Sequence, residues 1–396
     1  MSVNKTWLLP DGIEELLPRE AECLEQFRRQ YIDLFQSWGY ELVIPPLMEY
    51  LDSLLVGTGS DLDEHTFKVV DPLSGRMMGI PADITPQVAR IDVHRLKQEG
   101  LLRLCYFGPV LLTKPRELGG SRSPYQLGAE LYGYEGIGAD LEIINLMLES
   151  LEVSDLGTFH LDLGHVGIFR QLIQQAGISE LLENKLFDAL QRKANSEICE
   201  LLDKLPNTPS VDMLRELSAM NGGAEVVGSA RRIFGDADPL ITQYLAELET
   251  VVETVQRRWP NFPLHIDLAE LRGYQYHTGL VFSAYVSGYA HAIARGGRYD
   301  GIGKAFGPER AATGFSIDVS VLLGLLGENN SKKLGILAPA ENDANDTALN
   351  DMITELRAKG EIVIAELPGQ DCSDIKEKCN RVIRKRSSAW ILETLK

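Results

Sequence analysis

The feature that most constrains the fold is a change of hydrophobic period along the chain. Residues 166–257 repeat apolar side chains every three or four positions, as in KLFDALQRK and LITQYLAELETVVETVQRRW, which is the period of amphipathic helices. The sequence on either side shows short segments such as YQLGAELYGY and LVFSAYV, which are typical of β-strands. We therefore expect a helical insert at 166–257 that interrupts a sheet domain made of residues 1–165 and 258–326.

Residues before the helical insert predict small antiparallel elements with helices beside them. Apolar residues recur at helical spacing from 18 to 38, and ELVIPP at 41–46 is expected to be a short strand ended by two prolines. TFKVVDPLSGRMMGI is expected to form a hairpin that turns at residues 71–75. In DITPQVARIDVHRL, Thr85 is expected to cap a helix whose first residue is Pro86, where a missing N–H carries no penalty.

The sequence after the sheet region predicts a second, smaller domain. A helix is expected at 319–326, and the polar segment GENNSKK at 327–333 is interpreted as a linker. Beyond it, KLGILAPA, TALNDMITELRAKG, EIVIAELP, CSDIKEKCNRVIRK and SSAWILETL alternate strand and helix, which predicts a βαβαβ domain with parallel strands at 334–396. Residues 331–396 hold 11 basic and 11 acidic side chains, so we interpret the basic cluster at 381–386 as a solvated helix end rather than an RNA site.

Composition argues against several classes of function. The chain has 57 acidic and 39 basic residues, and its formal charge of −18 repels a nucleic-acid backbone, so no nucleic-acid partner is expected. No apolar run is long enough to cross a bilayer, and the start MSVNKTWLLPDG reaches a proline and an aspartate before a signal-peptide core forms. The five cysteines lack a CxxC pair, and the histidines lack metal-ligand spacing. We therefore expect a cytoplasmic protein with reduced thiols and with neither metal nor cofactor.

Two short motifs carry a resemblance to a known family. The first is LRGYQYH at 271–277, and the second is GGRYDG at 296–301. With the helix at 18–38 and the proline-ended strand after it, they resemble the histidyl-tRNA synthetases, which are class II aminoacyl-tRNA synthetases, in order and approximate spacing. The resemblance runs from about Pro10 to Leu326 and implies an α+β fold with an antiparallel sheet flanked by helices.

The same resemblance tests whether the chain can activate an amino acid. Adenylation develops negative charge on a phosphate, and class II synthetases place arginines there from their second and third motifs. Here GPVLLTKPRE puts Leu112 at the arginine and Lys114 at the glutamate of the second motif. TGFSIDVSVLLGLL puts Ser320 and Val321 at the glutamate and arginine of the third. Since losing one such donor costs about 100- to 1000-fold in rate, negligible adenylation is expected.

The positions that recognise the amino acid in the family are, in contrast, largely retained. The matching residues are Asp83, Thr85, Gln126, Glu130, Arg272, Tyr276 and His277. The resemblance implies that Arg272 holds the carboxylate of histidine and that the acidic and amide side chains bind its amino group and imidazole.

Two departures from the family pattern bear on the ligand. Pro81 replaces an arginine of the family, and His277 replaces a tyrosine. If 271–277 is a regular strand, Tyr276 and His277 point to opposite faces, and Tyr276 is then the pocket residue.

Each candidate residue also has a purely structural interpretation. Arg272 could be a strand-end arginine. Asp83 and Thr85 could do no more than cap a helix. Gln126 and Glu130, four residues apart on a strand, could share a solvated face.

An amino-acid pocket without an ATP pocket resembles a group of synthetase paralogues, the regulatory subunits of ATP phosphoribosyltransferase. DITPQVAR and the short C-terminal domain fit that group better than a working synthetase. The resemblance implies a noncatalytic subunit required for the first step of histidine biosynthesis and for its feedback inhibition by L-histidine. Its implied partners are the short-form catalytic subunit and a second copy of the chain. The two copies would pair through 18–38 and 41–46, as a homodimeric core within a hetero-oligomer.

Two alternatives remain open at this point. A divergent class II adenylating enzyme or histidyl-tRNA synthetase could use Lys114, Arg116 or Arg122 in place of the missing arginines, and amino-acid-dependent pyrophosphate exchange would reveal it. An RNA-binding regulator built on the synthetase scaffold would reveal itself by a salt-sensitive tRNA complex.

Overall fold

The computed structural model describes most of the chain as two compact units, Met1–Gly327 and Glu328–Lys396. The described residues are 8–56, 60–116, 120–234, 238–301, 307, 309–326, 334–340, 347–369, 373–387 and 389–395. The linker predicted at 327–333 lies outside them. Within these residues no helix combines the length and the apolar character needed to span a membrane.

The first unit contains a long N-terminal helix, a helical insert and a helix after the last strand of its sheet. Its helices are α1 (Pro18–Ser37), α2 (Leu51–Leu54), α3 (Ser60–His65), α4 (Thr85–Ile91), α5 (Ile137–Val153), α6 (Val166–Gln175), α7 (Glu180–Gln191), α8 (Asn195–Leu202), α9 (Pro209–Leu217), α10 (Glu225–Phe234), α11 (Pro239–Arg258) and α12 (Val319–Leu326). The predicted helices at 18–38 and 319–326 are confirmed as α1 and α12, and the helical pattern of 166–257 is confirmed as α6 to α11.

The strands of the first unit form one large sheet and one small sheet. They are β1 (Glu41–Leu42), β2 (Glu49–Tyr50), β3 (Phe67–Val70), β4 (Met77–Ile80), β5 (Leu102–Pro109), β6 (Tyr125–Tyr132), β7 (Phe159–His165), β8 (Asn221–Gly222), β9 (Leu264–Asp267), β10 (Leu280–Val286), β11 (Ala294–Arg298) and β12 (Ala312–Asp318). The large sheet has the order β1-β5-β6-β12-β11-β10-β7-β9-β8, and β2-β4-β3 form the small one. Strands on both sides of the helical insert are neighbours here, so the chain returns to the sheet that it left.

Helix α1 packs on one face of the large sheet through the apolar stripe that predicted it. Its residues Leu24, Phe27, Tyr31 and Phe35 are buried, and the ring of Phe35 meets that of Phe315 on β12 edge to face at 5.9 Å. The strand predicted at 41–46 is shorter, because pairing with β5 covers only Glu41 and Leu42. The predicted hairpin is confirmed, since β3 and β4 pair antiparallel around residues 71–75.

The second unit is a four-stranded sheet with helices. Its elements are β13 (Gly335–Ala338), α13 (Thr347–Ala358), β14 (Val363–Ala365), α14 (Ser373–Lys376), β15 (Cys379–Arg386) and β16 (Ala389–Thr394). Strand β13 pairs parallel with β14 and β15, as a βαβαβ unit requires, and β16 adds an antiparallel edge to β15.

The prediction of a solvated helix end at 381–386 was wrong, because these residues lie on β15. Val382 and Ile383 are buried, and their β-branched side chains suit a strand. Arg381 bonds to Glu361, Arg386 bonds to Glu393, and Lys385 lies over the ring of Trp390 at 5.1 Å. The paired charges offer no isolated basic patch at these positions.

Candidate functional site

The side chains of strand β6 alternate between its two faces, and this alternation decides which of them lie at the candidate site. Leu127, Ala129 and Leu131 point to the face that packs on the helices, while Gln126 and Glu130 point to the opposite face. Gln126 and Glu130 are 4% and 1% exposed, so the alternative of a solvated strand face is wrong.

Glu130 lies at the centre of a ring of hydroxyl groups. Its Oε1 is 3.1 Å from Thr85 Oγ1 and 3.2 Å from the hydroxyl of Tyr106, and its Oε2 accepts a bond from Tyr299. Burial is the main cause that raises the pKa of Glu130 to about 8, and the nearby charge of Asp83 adds to it. The three hydroxyl groups act against this rise, because they favour the ionised form.

The start of helix α4 brings Asp83 and Thr85 to the same place. The helix begins at Thr85, and no side chain caps it from Ile84, so the prediction that Thr85 is the cap was wrong. Instead Asp83 Oδ1 accepts the backbone N–H of Thr85 at 2.9 Å, which frees the threonine hydroxyl for Glu130. Gln126 donates to the same Asp83 oxygen at 3.1 Å and accepts from the N–H of Ile84 at 2.9 Å. Four predicted residues thus form one hydrogen-bonded network.

Residues 271–277, which we call the cavity loop, form a turn rather than a strand. Gly273 has a φ of +68°, and a Cβ there would lie 2.7 Å from the His277 ring. Its carbonyl accepts the N–H of Tyr276 at 2.8 Å and that of His277 at 2.7 Å. The expectation that Tyr276 and His277 face opposite sides was therefore wrong, and both line one cavity.

The rings of the cavity loop form a stack against the sheet. The ring of Tyr276 stacks on that of Tyr299 at 5.0 Å, and the His277 ring meets Tyr276 edge to face at 5.2 Å. Burial lowers the pKa of His277 to about 4, so this imidazole is neutral at physiological pH. The hydroxyl oxygen of Tyr276 is buried and has no hydrogen-bond partner among the described residues. A buried hydroxyl in that condition suits a polar ligand atom.

Arg272 lies at the rim, where its side chain is 53% exposed. Its guanidinium donates to the hydroxyl of Tyr285, and its Nε lies 3.8 Å from Glu270 Oε1. This accounts for Arg272 structurally and still leaves guanidinium hydrogens available for a ligand.

A large cavity of about 800 Å³ brings most of these side chains together. Its lining includes Asp83, Thr85, Glu130, Arg272, Tyr276 and His277. Gln126 lies at the wall of a neighbouring small cavity. The large cavity has an acidic wall with hydroxyl groups and an aromatic wall, with Arg272 at its rim and with Arg116 and Arg295 also in its lining.

The small cavity, of about 310 Å³, holds the positions that the resemblance assigns to ATP activation. Leu112, Ser320 and Val321 all line it, and Leu112 is also part of the large cavity. Ser320 Oγ accepts the backbone N–H of Tyr125 at 2.9 Å. Lys114, the fourth such position, is exposed. The arginine positions of the two motifs thus present aliphatic side chains to this cavity.

The arginines considered as replacements are held by backbone oxygens. Arg122 donates to the carbonyls of Leu112 at 3.0 Å and Asp11 at 2.9 Å. Arg116 donates to the carbonyl of Ala82 at 3.1 Å and lines both cavities.

Sequence reasoning missed Tyr106 and gave Tyr299 no role. Glycines on the neighbouring strands could have indicated these side chains. Tyr106 is paired with Gly128, where a Cβ would lie 2.3 Å from the tyrosine ring. Likewise Glu130 is paired with Gly314, where a Cβ would lie 1.6 Å from the carboxylate. A glycine inside a strand marks such close approach.

The second motif fixes the position of Tyr299. Arg298 donates to Asp140 on α5 at 2.6 Å, and both side chains are nearly buried. The neighbouring Asp300 accepts the N–H of Ala312 at 2.9 Å. GGRYDG therefore anchors β11 so that Tyr299 reaches Glu130.

Two family models match the chain. The model of histidyl-tRNA synthetase matches residues 12–322, and that of the ATP phosphoribosyltransferase subunit HisZ C-terminal domain matches residues 332–393. The first covers the unit that carries the candidate site, and the second covers most of the C-terminal unit.

Similar proteins share one name. The ATP phosphoribosyltransferase regulatory subunit of Pseudomonas fluorescens is 51% identical over 392 residues, which is 98% of each chain. That of Chromohalobacter salexigens is 48% identical over the full length of both. These relatives confirm the predicted regulatory interpretation.

Solved structures agree with the predicted fold class. An ATP phosphoribosyltransferase regulatory subunit/histidyl-tRNA synthetase from Bacillus halodurans is 26% identical, with a TM-score of 0.83 over 96% of this chain and 99% of its own. A histidyl-tRNA synthetase from Nostoc, 18% identical, has a TM-score of 0.78 over 96% of this chain and 91% of its own, which shows the shared fold. The chain therefore belongs to the histidyl-tRNA synthetase-like family of ATP phosphoribosyltransferase regulatory subunits.

Proposed function

We propose that this chain is a cytoplasmic, noncatalytic subunit that binds L-histidine in the large cavity and thereby changes the rate of a short-form ATP phosphoribosyltransferase catalytic subunit. The observation that carries the proposal is the network of Asp83, Thr85, Gln126 and Glu130. It lies by a cavity whose other wall carries the hydroxyl of Tyr276, which has no hydrogen-bond partner in the part of the chain that the structure describes. Among the described residues, the free thiols of Cys105, Cys199 and Cys379 are consistent with a reducing compartment.

The polar groups of histidine match the charges of the large cavity. Arg272 at the rim would pair with the carboxylate, since guanidinium and carboxylate make strong charge-assisted bonds. The two described bonds to Asp83 both use Oδ1, which leaves Oδ2 for the ammonium group. Glu130 and the Tyr276 hydroxyl would hold the imidazole, whose two nitrogens offer a donor and an acceptor. His277, neutral because of its burial, would not repel a cationic ligand.

The small cavity supports the noncatalytic part of the proposal. ATP activation requires cations at the phosphates, and the two motif positions, Leu112 and Val321, supply none there, while Arg116 in the same cavity donates to the carbonyl of Ala82. Binding without turnover suits an effector site. Histidine can then act only if one conformational state of the complex binds it better than the other, and such coupling is typically about 1–3 kcal/mol.

The decisive experiment measures phosphoribosyl-ATP formation by the short-form catalytic subunit alone, with this chain, and with this chain plus histidine. We expect activation by the chain and inhibition by histidine. Glu130→Ala should abolish the response to histidine and keep the activation, while Glu135→Ala, at an exposed position after the same strand, should keep both. A Glu130→Ala chain that still responds normally to histidine would refute the assignment of this cavity. A wild-type chain with no effect on rate would refute the regulatory role, and pyrophosphate exchange would then test adenylation.

We also propose that two copies of the chain associate through α1 and the segment after it. Ile44 and Leu47 are 75% and 60% exposed in the isolated chain, which is unfavourable for large apolar side chains unless another surface covers them. The resemblance to the class II synthetases, whose chains dimerise through this motif, supports this position for the dimer contact.

A further inference from the structure

The cavity loop is held in place largely from the helical insert. Arg170 on α6 donates to the carbonyls of Tyr274 at 2.9 Å and His277 at 3.0 Å, and its guanidinium lies 4.8 Å from the centre of the Tyr274 ring. Glu183 on α7 accepts a 2.6 Å bond from the hydroxyl of Tyr274. These contacts reach both the middle and the end of the loop.

The beginning of the loop is bound to the same helix. Gln191 is the last residue of α7, and with its amide oxygen turned toward the loop it accepts the backbone N–H groups of Leu271 and Arg272, both at 3.2 Å. Phe187, one turn before it on α7, packs its ring 5.8 Å from that of Tyr274. Phe187 and Gln191 also line the large cavity. Helix α7 and the cavity loop therefore form one packed surface along that cavity.

We propose that Glu183 and Arg170 are positioning residues, which set the conformation of the cavity loop and so let the helical insert control the affinity of the large cavity for histidine. The inference rests on the proposed function. Tyr274 is the link: its hydroxyl and carbonyl are bound by the insert, and two residues later Tyr276 forms the aromatic wall. A movement of α7 would shift the Tyr276 ring and the Arg272 guanidinium together.

The reverse direction follows by thermodynamic linkage. If histidine favours one conformation of the cavity loop, it favours the matching position of α7 by the same factor. The position of the helical insert would then depend on whether the large cavity is occupied. Neither Glu183 nor Arg170 needs to touch the ligand for this.

The test is a double-mutant cycle on histidine binding, measured by calorimetry on the full chain. Because a hydrogen bond to a charged group shifts an equilibrium about tenfold or more, Tyr274→Phe and Glu183→Ala should each raise the Kd for histidine about tenfold. The double variant should be no weaker than either single one, since both remove the same bond. Glu183→Gln retains an acceptor oxygen and should stay within about twofold of wild type.

The controls separate positioning from general damage. Glu180→Ala, at an exposed position on the same helix, should leave the Kd unchanged. If Tyr274→Phe fails to fold, the Glu183 variants carry the test alone. If the wild-type chain binds histidine and both Glu183→Ala and Tyr274→Phe bind it with the same Kd, this inference is overturned and the proposed function stays intact. Wild-type chain that does not bind histidine would overturn the proposed function and this inference with it.

Discussion

Replacing Glu130 by glutamine should make the stability of the free chain less dependent on pH. The pKa of this carboxyl is raised from 4.5 to about 8, chiefly by burial. Between these values the native chain keeps a proton that the unfolded chain has lost, so stability falls as pH rises through this window and levels off above about 8. Glu130→Gln has no such proton, and its free energy of unfolding should lack this slope.

The size of the effect follows from the shift. Each pKa unit is worth about 1.4 kcal/mol, so a rise from 4.5 to about 8 amounts to roughly 5 kcal/mol over the whole window. From pH 6 to pH 8, the unfolding free energy of Glu130→Gln minus that of wild type should increase by about 2 kcal/mol. Urea denaturation at pH 6, 7 and 8, followed by near-UV circular dichroism, measures it. Glu135→Gln, at an exposed position, serves as the control and should show no such trend.

A difference that stays constant from pH 6 to pH 8 would refute this reasoning. It would mean that the hydroxyl groups of Thr85, Tyr106 and Tyr299 outweigh burial and keep native Glu130 ionised throughout. A second set of denaturation measurements uses the same pH values with saturating histidine. An imidazole N–H that donates to Glu130 favours its ionised form, so the slope of wild type should flatten when histidine is bound.

Three further predictions concern other parts of the chain. Gly314→Ala should weaken histidine binding more than tenfold, because its Cβ would lie 1.6 Å from the Glu130 carboxylate, whereas Gly228→Ala, with open space around it, should keep the Kd found by calorimetry. Ile44→Lys should shift the wild-type dimer to monomer in sedimentation velocity, and a dimer of unchanged strength would exclude this surface as the contact. Leu112→Arg should not produce histidine-dependent pyrophosphate exchange, because Val321 still leaves the second cation missing, and measurable exchange would contradict the assignment.

The large elements of the fold were predictable from the sequence because they bury periodic apolar faces. The apolar stripe of α1 and the change of hydrophobic period at residue 166 are properties of single segments, so they can be recognised without knowledge of tertiary contacts. Strand β15 was misread for the opposite reason. The segment NRVIRK offers only two apolar residues, which fit either a short helix or a strand, and the pairing with β13 and β16 decides between them.

The candidate site was predictable in part. The resemblance named Gln126 and Glu130, and the period of a strand put them on one face, but the hydroxyl ring was not predicted, because Thr85, Tyr106 and Tyr299 come from segments far apart in sequence. Tyr106 and Tyr299 meet at Glu130 only through the order of the sheet. The turn at Gly273 was hidden as well, since the tyrosines that follow it suit a strand equally well.

The small cavity also bears on how readily such a subunit could regain enzymatic activity. Ser320 accepts the amide hydrogen of Tyr125 through its Oγ, and the Leu112 side chain is 1% exposed, so two of the positions that the resemblance assigns to activation now serve the local structure. A charged residue in place of Ser320 would remove the hydroxyl that accepts this amide hydrogen, and one in place of Leu112 would put a charge in a buried position. Reversal would therefore require several simultaneous substitutions, each of them harmful alone. In evolutionary terms, a return to catalysis is therefore unfavourable at every single step.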